Sequence, residues 1–562
     1  MRTVIIGNSA AGLAAAETFR RWDRVSELLM ISAEPGPAYS RVLLPYVLRG
    51  SLPREKLFLR SGACCDSLGI RTRFGIAVSR VDDREHTLRL QDGSLLGYDR
   101  LLVATGARPV LPRVENLEGP GIHTLWTLSD LDRLAPEFRS GRRIAFIGAG
   151  FVSLQAAWAA HLRGLRITVL EALPRLLPRV LDAEASALLE AKMRGHGVDV
   201  RCAVGIEGIE RPAGGDPPLR LRLACEDPNV DADLILVAAG VRPNLDFLQG
   251  ASVALAPGGA GILVDDHMRT SVPDIYAAGD AVLGPSVFGE AHAACALWPT
   301  AVEQGKVAGA NLAGRERVYR GSLNMNVAEL FGLTVASIGR FEPSGEPGER
   351  VLQEHDPRAG RYVKLLFRDG LPLGGVLLGS PEDLPVLAVL RPRPPRGDKP
   401  MRIVTMDPDI CVACRNCEYA CAFQQAGTFQ RRDSNIRVNF YPEDRVCIPW
   451  TCVHCEEAWC LEVCPAGAIR RNDSTGAVEI DAESCAGCKM CLLACPYGAI
   501  RFDAEARVAR KCDLCGGEPR CVKFCISGAL QYVEAEEAFG FRRLSFDARL
   551  KSLLGLGRGE PR

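Results

Sequence analysis

Nowhere in its 562 residues does this chain carry an apolar run near the ~18–20 residues needed to cross a bilayer, so direct membrane insertion is not expected. It lacks a surplus of either charge. Lys+Arg and Asp+Glu each count 68, which removes the long-range field that would favour nucleic acid or an anionic membrane surface. Histidine is scarce, with eight scattered residues, and no serine, histidine and acid arrangement suggests hydrolysis. The first residues show no basic leader followed by an apolar stretch and a small-residue cleavage site. RTVIIGNSA reads instead as a buried strand entering a glycine turn, and a cytoplasmic location is expected. What is left is ordinary globular composition, 47% hydrophobic and 24% charged, on a chain too long for one core. At ~100–200 residues per domain, three to five units are expected.

The 22 cysteines are the outlying number, and they are unevenly placed. Cys64, Cys65, Cys202, Cys225 and Cys295 are scattered before residue 400, and the other seventeen fall between 411 and 525. A disulfide framework suits a small secreted domain; repeated CxxC pairs in a long chain read as metal binding. Four groups recur: Cys411, Cys414, Cys417 and Cys421; Cys452, Cys455, Cys460 and Cys464; Cys485, Cys488, Cys491 and Cys495; Cys512, Cys515, Cys521 and Cys525. The third, CAGCKMCLLACP, has the C-x₂-C-x₂-C-x₃-C-P spacing in which three thiolates bind one [4Fe–4S] cube and the fourth binds its neighbour. Three cysteines on a tight loop reach three corners of a cube, while the fourth, on the following helix, points toward another, so such motifs work in pairs. Zinc is the plainer alternative for CxxC pairs. It does not require a third cysteine at x₂ or a fourth at x₃ before Pro465 or Pro496. Cys447 stands outside every group and reads as an ordinary buried thiol, and His454 as a hydrogen-bond donor near a cluster.

Ahead of this region two strand, glycine-turn, helix patterns lie in tandem. A GxGxxG-like turn gains meaning only in that context, where glycine permits a tight turn and close approach of a pyrophosphate to a helix N-terminus. The first turn, Gly7, Ser9 and Gly12, replaces the middle glycine with serine and leads to a second strand ending at Glu34. The second, Gly148, Gly150 and Ser153, replaces the last; its second strand ends in Glu171, an acid suited to accept from a ribose 2′-OH and to repel a 2′-phosphate, which favours NAD(H) over NADP(H). Short apolar strands ending in small residues, YDRLLVATGARP, ADLILVAAGVRPN and TSVPDIYAAGDA, fit an open α/β sheet. Residues 320–389 read as a small separate α+β unit, 390–400 as a stiff proline-rich linker, and 537–562 as an apolar, basic tail.

Five pieces in fixed order, GNSAAG, ATGARP with Thr105 and Gly106, GAGFVS, AAGVRPN with Gly240, and AAGDA with Gly279 and Asp280, carry a resemblance. Residues 1 to about 390 resemble the two-dinucleotide-binding-domain flavoproteins: NADH oxidases, rubredoxin and ferredoxin reductases, coenzyme A disulfide reductases and the flavin half of assimilatory nitrite reductases. The resemblance implies an FAD domain over 1–113 and 242–319, an NAD domain over 114–241, and an interface or dimerisation type of domain over 320–389, which leaves room for a homodimer. It also implies that Asp280 holds the ribityl chain of FAD and that residues 297–309 supply a helix beneath the isoalloxazine. Tyr39, Ser40 and Arg41 match a flavin-facing loop, although Arg41 as a surface residue and Tyr39 as a packing aromatic read equally well. Residues 401–533, within a domain expected over 401–536, resemble the four-cluster ferredoxin-like subunits of carbon monoxide dehydrogenases, hydrogenases, formate dehydrogenases and molybdopterin oxidoreductases. That resemblance implies that Cys525 completes the cluster of Cys411, Cys414 and Cys417, and Cys421 that of Cys512, Cys515 and Cys521. Likewise Cys495 would join Cys452, Cys455 and Cys460, and Cys464 would join Cys485, Cys488 and Cys491. Ile526 stands where proline is usual, which removes a turn constraint and no ligand.

Two departures shape the expected chemistry. The position of the redox cysteine of disulfide-reducing members is Val42, so no catalytic residue is assigned and the flavin must pass electrons elsewhere. Gln155 replaces a glutamate near the nicotinamide. The fold class expected is α/β, two Rossmann-like domains and a small α+β domain followed by a ferredoxin-like α+β domain. The function expected is transfer of electrons between NAD(H), FAD and four [4Fe–4S] clusters, to or from a partner such as carbon monoxide dehydrogenase or a ferredoxin. The alternative is an electron-transfer subunit of a molybdopterin enzyme, formate dehydrogenase or hydrogenase.

Overall fold

A computed structural model describes residues 1–60, 62–212, 217–224, 229–356, 360–388, 402–441 and 446–534. The expected linker at 390–400, the tail at 537–562 and Cys225 lie outside the described residues. The chain divides into two compact units, residues 1–390 and 391–562.

The first unit begins with the β-branched run of the Arg2–Ile6 strand, which is buried from Thr3 onward. It sits centrally in a parallel five-stranded sheet, ordered Ile275–Ala277, Arg100–Val103, Arg2–Ile6, Glu27–Ser32, Ile70–Phe74. Both faces of a parallel sheet are covered, which is why these strands read as continuous apolar runs rather than alternations. The helix Ala10–Trp22 packs on the helix Trp298–Leu312 along a seam of small residues. A Cβ built on Gly305 would lie 2.3 Å from Ala11 O, and one on Gly309 2.3 Å from Ala15 O, so the two backbones meet only because both positions are glycine.

A second parallel sheet of five strands follows, ordered Asp199–Cys202, Arg166–Glu171, Arg143–Ile147, Leu234–Val237, Ile122–His123. The central strand again runs into a glycine turn and a helix, Phe151–Leu162. An antiparallel five-stranded sheet closes the unit, ordered Met325–Leu330, Leu333–Gly339, Leu371–Gly379, Arg361–Arg368, Glu349–Asp356. Asp182 ties the Ala183–Gly195 helix to this sheet. Its carboxylate caps the helix at Ala185 N (3.0 Å) and accepts from the Tyr362 hydroxyl (2.6 Å) and from Lys364 Nζ (2.8 Å).

The second unit is built from short two-stranded ribbons, and the cysteines lie on the loops and short helices between them. One ribbon pairs Arg402–Met406 with Leu530–Glu534, so the beginning and end of the cysteine-rich segment lie side by side. Among the described residues no helix is long and apolar enough to cross a membrane.

Candidate functional sites: two dinucleotide turns and four cysteine clusters

At the first turn Gly7 has φ +115°, and a Cβ there would lie 2.0 Å from Ala104 O; one on Gly12 would lie 1.9 Å from Gly7 O. The protein's own backbone therefore demands both glycines. Ser9 takes the N-cap of the Ala10–Trp22 helix without a side-chain capping bond. Gly279 has φ +83° and donates its amide to Gln304 Oε1 (2.9 Å), while the Ala278 amide pairs with Val103 O (3.0 Å). The first, second and fifth sequence pieces thus meet at one sheet edge, above which Asp280 stands. Burial pushes the Asp280 carboxyl up to about 6, with Arg41 pulling it down.

Glu34, Tyr39 and Arg41 form one network. The Tyr39 hydroxyl donates to Glu34 Oε2 (2.6 Å), Arg41 Nη2 pairs with Glu34 Oε1, and Arg41 Nη1 donates to Trp126 O (2.7 Å). Both Glu34 oxygens are engaged, and each retains a lone pair for a ribose hydroxyl. Arg41 is half-buried here, and its charge reaches Asp280. Val42 is 38% exposed in the 3₁₀ turn Arg41–Leu43. Cys295 lies within electrostatic reach of the Asp280 carboxyl, which disfavours its thiolate. Its sulfur lies 3.2 Å from Thr300 Oγ1 and 3.2 Å from Asn324 Oδ1, and burial pushes the thiol up to about 11, away from nucleophilic use. Sequence reasoning did not single it out, because nothing local marks it.

The second and fourth pieces pair directly. Val241–Pro243 runs antiparallel to Ala107–Pro109, and Asn244 locks the join. Its Nδ2 donates to Thr105 O (3.0 Å), its amide to Gly106 O (3.0 Å), and its carbonyl accepts from Thr105 Oγ1 (2.9 Å). Asn244 was legible only as the last letter of VRPN; its role depends on a partner more than a hundred residues away.

At the second turn the glycines differ in kind. Gly148 has φ +97°, and a Cβ there would lie 2.6 Å from Ala238 O. Gly150, the N-cap of the Phe151–Leu162 helix, has an ordinary φ of −80°, and a Cβ built there meets no atom within 4 Å. Open space over that helix N-terminus fits close approach by a pyrophosphate. Gly240, with φ +112°, is equally unobstructed. Glu171 is buried and clamps the turn, accepting from Ala149 N (2.7 Å) and Leu173 N (2.9 Å) with one oxygen each. Ser153 is fully buried, its Oγ without a partner among the described residues, and Gln155 is half-buried.

In the second unit the four cysteine groups interleave. Cys411, Cys414, Cys417 and Cys525 line one cavity; Cys452, Cys455, Cys460 and Cys495 line another. Cys464 acts electrostatically on Cys488 and Cys491 beside Cys485, and Cys421 on Cys512, Cys515 and Cys521. Tetrahedral zinc at ~2.3 Å would hold thiolates roughly 3.8 Å apart. Among the described residues no three of these sulfurs lie within 4.8 Å of one another. Backbone amides already aim at sulfur: Asn435 N at Cys421 (3.2 Å), His454 N at Cys452 (3.3 Å), Leu514 N at Cys512 (3.4 Å) and Ala499 N at Cys495 (3.4 Å). Burial pushes the Cys455 and Cys460 thiols up to about 12, so only a bound metal would hold them as thiolates. Cys447 is buried and free.

The family profile described as pyridine nucleotide-disulphide oxidoreductase matches residues 1–305, and one described as 4Fe-4S dicluster domain matches 444–535, beyond the first cysteine group. A similar curated protein is the NADH-dependent phenylglyoxylate dehydrogenase subunit epsilon of Aromatoleum evansii, 31% identical over 66% of this chain and 87% of that protein. The nitrite reductase [NAD(P)H] of Bacillus subtilis is 25% identical over 91% of this chain and 59% of its own length. Among solved structures, an NAD-dependent persulfide reductase from A. fulgidus superposes with TM-score 0.62 at 27% identity, covering 67% of this chain and 74% of that one.

Proposed function

We propose that this chain, which belongs to the pyridine nucleotide-disulphide oxidoreductase family, links NADH through FAD to a relay of four [4Fe–4S] clusters that serves a redox partner protein. At the coarser level it is an NAD(H)-dependent flavin oxidoreductase with an iron–sulfur electron-transfer domain. When bound, the flavin supplies the conversion between a hydride and single electrons.

The chain's residues bind and insulate. Gly7, Ser9, Gly12, Glu34, Thr105, Gly106, Gly279 and Asp280 hold FAD, with Arg41 bracing Glu34. Gly148, Gly150, Glu171 and Gly240 hold the nicotinamide dinucleotide, and the Glu171 carboxylate at the turn disfavours a 2′-phosphate. The flavin domain spans 1–113 and 242–319, the dinucleotide domain 114–241, the small domain 320–389 and the cluster domain 401–536. With Val42 in place of a thiol, the outlet for electrons is not a disulfide.

What carries the reading is the interleaving of the cysteine groups, since a fourth ligand shared between groups suits adjacent cubes. Cys414 is the one exposed thiol of the sixteen, and Val412, Phe524 and Ile526 beside it are exposed too, which suits a port for a protein partner. The partner is of the carbon monoxide dehydrogenase kind on sequence resemblance. A second reading, an electron-transfer subunit within a larger dehydrogenase, is favoured by the name of the Aromatoleum relative, itself a subunit.

Anaerobic titration of the reconstituted protein, following flavin absorbance and cluster EPR together, tests the scheme. NADH reduces flavin and clusters while NADPH is at least tenfold less effective. If dithionite-reduced clusters fail to reduce NAD⁺ and NADH leaves them oxidised, the relay is refuted.

A further inference from the structure

Lys511 is 5% exposed in the second unit, yet it forms no salt bridge with a carboxylate among the described residues. Its ammonium donates to Val478 O and to Cys512 O (3.1 Å), and it interacts with the sulfurs of Cys452, Cys460 and Cys512. A buried cation needs a counter-charge, and the groups left to supply one here are thiolates. It lines the cavity of Cys452, Cys455, Cys460 and Cys495, with Glu457 at the exposed rim.

His454, fully buried, lines the same cavity. The Val478 amide donates to its Nδ1 (3.0 Å), so the neutral ring carries its proton on Nε2, and Nε2 has no partner among the described residues. Val478 thus joins the two groups, its N–H to His454 and its C=O to Lys511. Arg471 adds a second cation, donating to Cys455 O (2.6 Å). The other cavities are different. Glu418, fully buried beside Cys417, is paired with Arg431 (2.6 Å), and buried Lys489 packs over the Phe502 ring (4.7 Å to its centroid).

We propose that Lys511, supported by the Nε2–H of His454, raises the reduction potential of the cluster held by Cys452, Cys455, Cys460 and Cys495, and to a smaller degree that of the Cys421, Cys512, Cys515 and Cys521 cluster, making the first an electron-storing station. The inference rests on the four-cluster reading. Net charge and hydrogen bonds to sulfur set such potentials. Each step adds one electron to the cluster, breaks no bond, and leaves the lysine proton in place, so the fixed charge favours the reduced state.

The test is an EPR-monitored redox titration of holoprotein with Lys511→Met, Lys511→Arg and His454→Leu, alongside iron and sulfide counts. About sixteen irons in wild type upholds the four-cluster reading, and fewer refutes that reading separately. With clusters loaded, Lys511→Met lowers one midpoint so that its reduced-to-oxidised ratio falls at least tenfold at the wild-type midpoint, ~59 mV for one electron, and lowers a second by less. Lys511→Arg restores most of it, and His454→Leu shifts the same cluster by less. Unchanged midpoints in loaded Lys511→Met, an equal fall in Lys511→Arg, or a uniform shift of all four clusters overturns the proposal.

Discussion

Gly150→Ala separates a glycine kept for a ligand from one kept for the fold. The position has φ −80° and ψ 177°, which any residue adopts, and a Cβ there meets no protein atom within 4 Å. Alanine at a helix N-cap loses roughly 0.5–1 kcal/mol relative to glycine, while stiffening the unfolded chain returns about 0.4–1 kcal/mol. Stability therefore changes by no more than about 0.5 kcal/mol. The methyl group instead occupies the space over the helix N-terminus, and overpacking of this kind costs about 1–3 kcal/mol, which is roughly 5- to 150-fold in NADH affinity. Gly148→Ala is the contrast: φ +97° costs roughly 1–3 kcal/mol, and Ala238 O at 2.6 Å is backbone and cannot yield. Thermal unfolding paired with stopped-flow flavin bleaching against NADH concentration reads both effects. Wild-type NADH affinity in Gly150→Ala would refute the placement of the pyrophosphate.

Three further outcomes follow from the same geometry. The Asp280 carboxyl titrates at about 6 when folded, against 3.8 as its ordinary value, so the native state binds the extra proton and stability falls as pH rises through that window, by up to about 3 kcal/mol. In flavin-stripped protein Asp280→Asn removes that slope between pH 4.5 and 8, and weakens FAD binding; identical pH slopes by thermal unfolding would contradict it. Asp182→Ala strands Lys364 and Tyr362 and uncaps a helix, a loss of about 3–5 kcal/mol at neutral pH read by urea unfolding. Burial raises that carboxyl, but hydrogen bonds from Lys364, Tyr362 and the Ala185 amide together with the Lys364 charge hold it below its ordinary value, so wild type loses the contribution as pH falls through the folded value, and the variant does not. Cys464→Ser disturbs the cluster of Cys485, Cys488 and Cys491 rather than that of its own sequence group, an assignment read from which EPR signal is lost.

Much of this architecture was legible because its signals are local. The RTVII run, the turn at Gly7 and the small-residue helix after it lie within about twenty residues, and so do the equivalents around Gly148. Val42 could likewise be read against LPY, which begins two residues on. Glu34 and Arg41 were legible as candidates, but their mutual pairing through Tyr39 and Trp126 was not, since it depends on a loop folding back onto a helix start. Asn244 could be read only as the last letter of VRPN, and Cys295 and Lys511 carried no local mark at all.

The sequence by itself determined the chemistry: cysteine triplets at x₂ spacing can wrap a cube wherever they are placed, and a glycine turn between strand and helix favours a phosphate in any sheet. Only the tertiary structure decided the company each group keeps. The ribbon of Arg402–Met406 with Leu530–Glu534 brings Cys525 to the cavity of Cys411, more than a hundred residues away, and the close of the fold leaves Lys511 among sulfurs with no carboxylate partner among the described residues. Backbone geometry is dictated by neighbours in the chain, whereas burial and counter-charge exist only once distant segments have met.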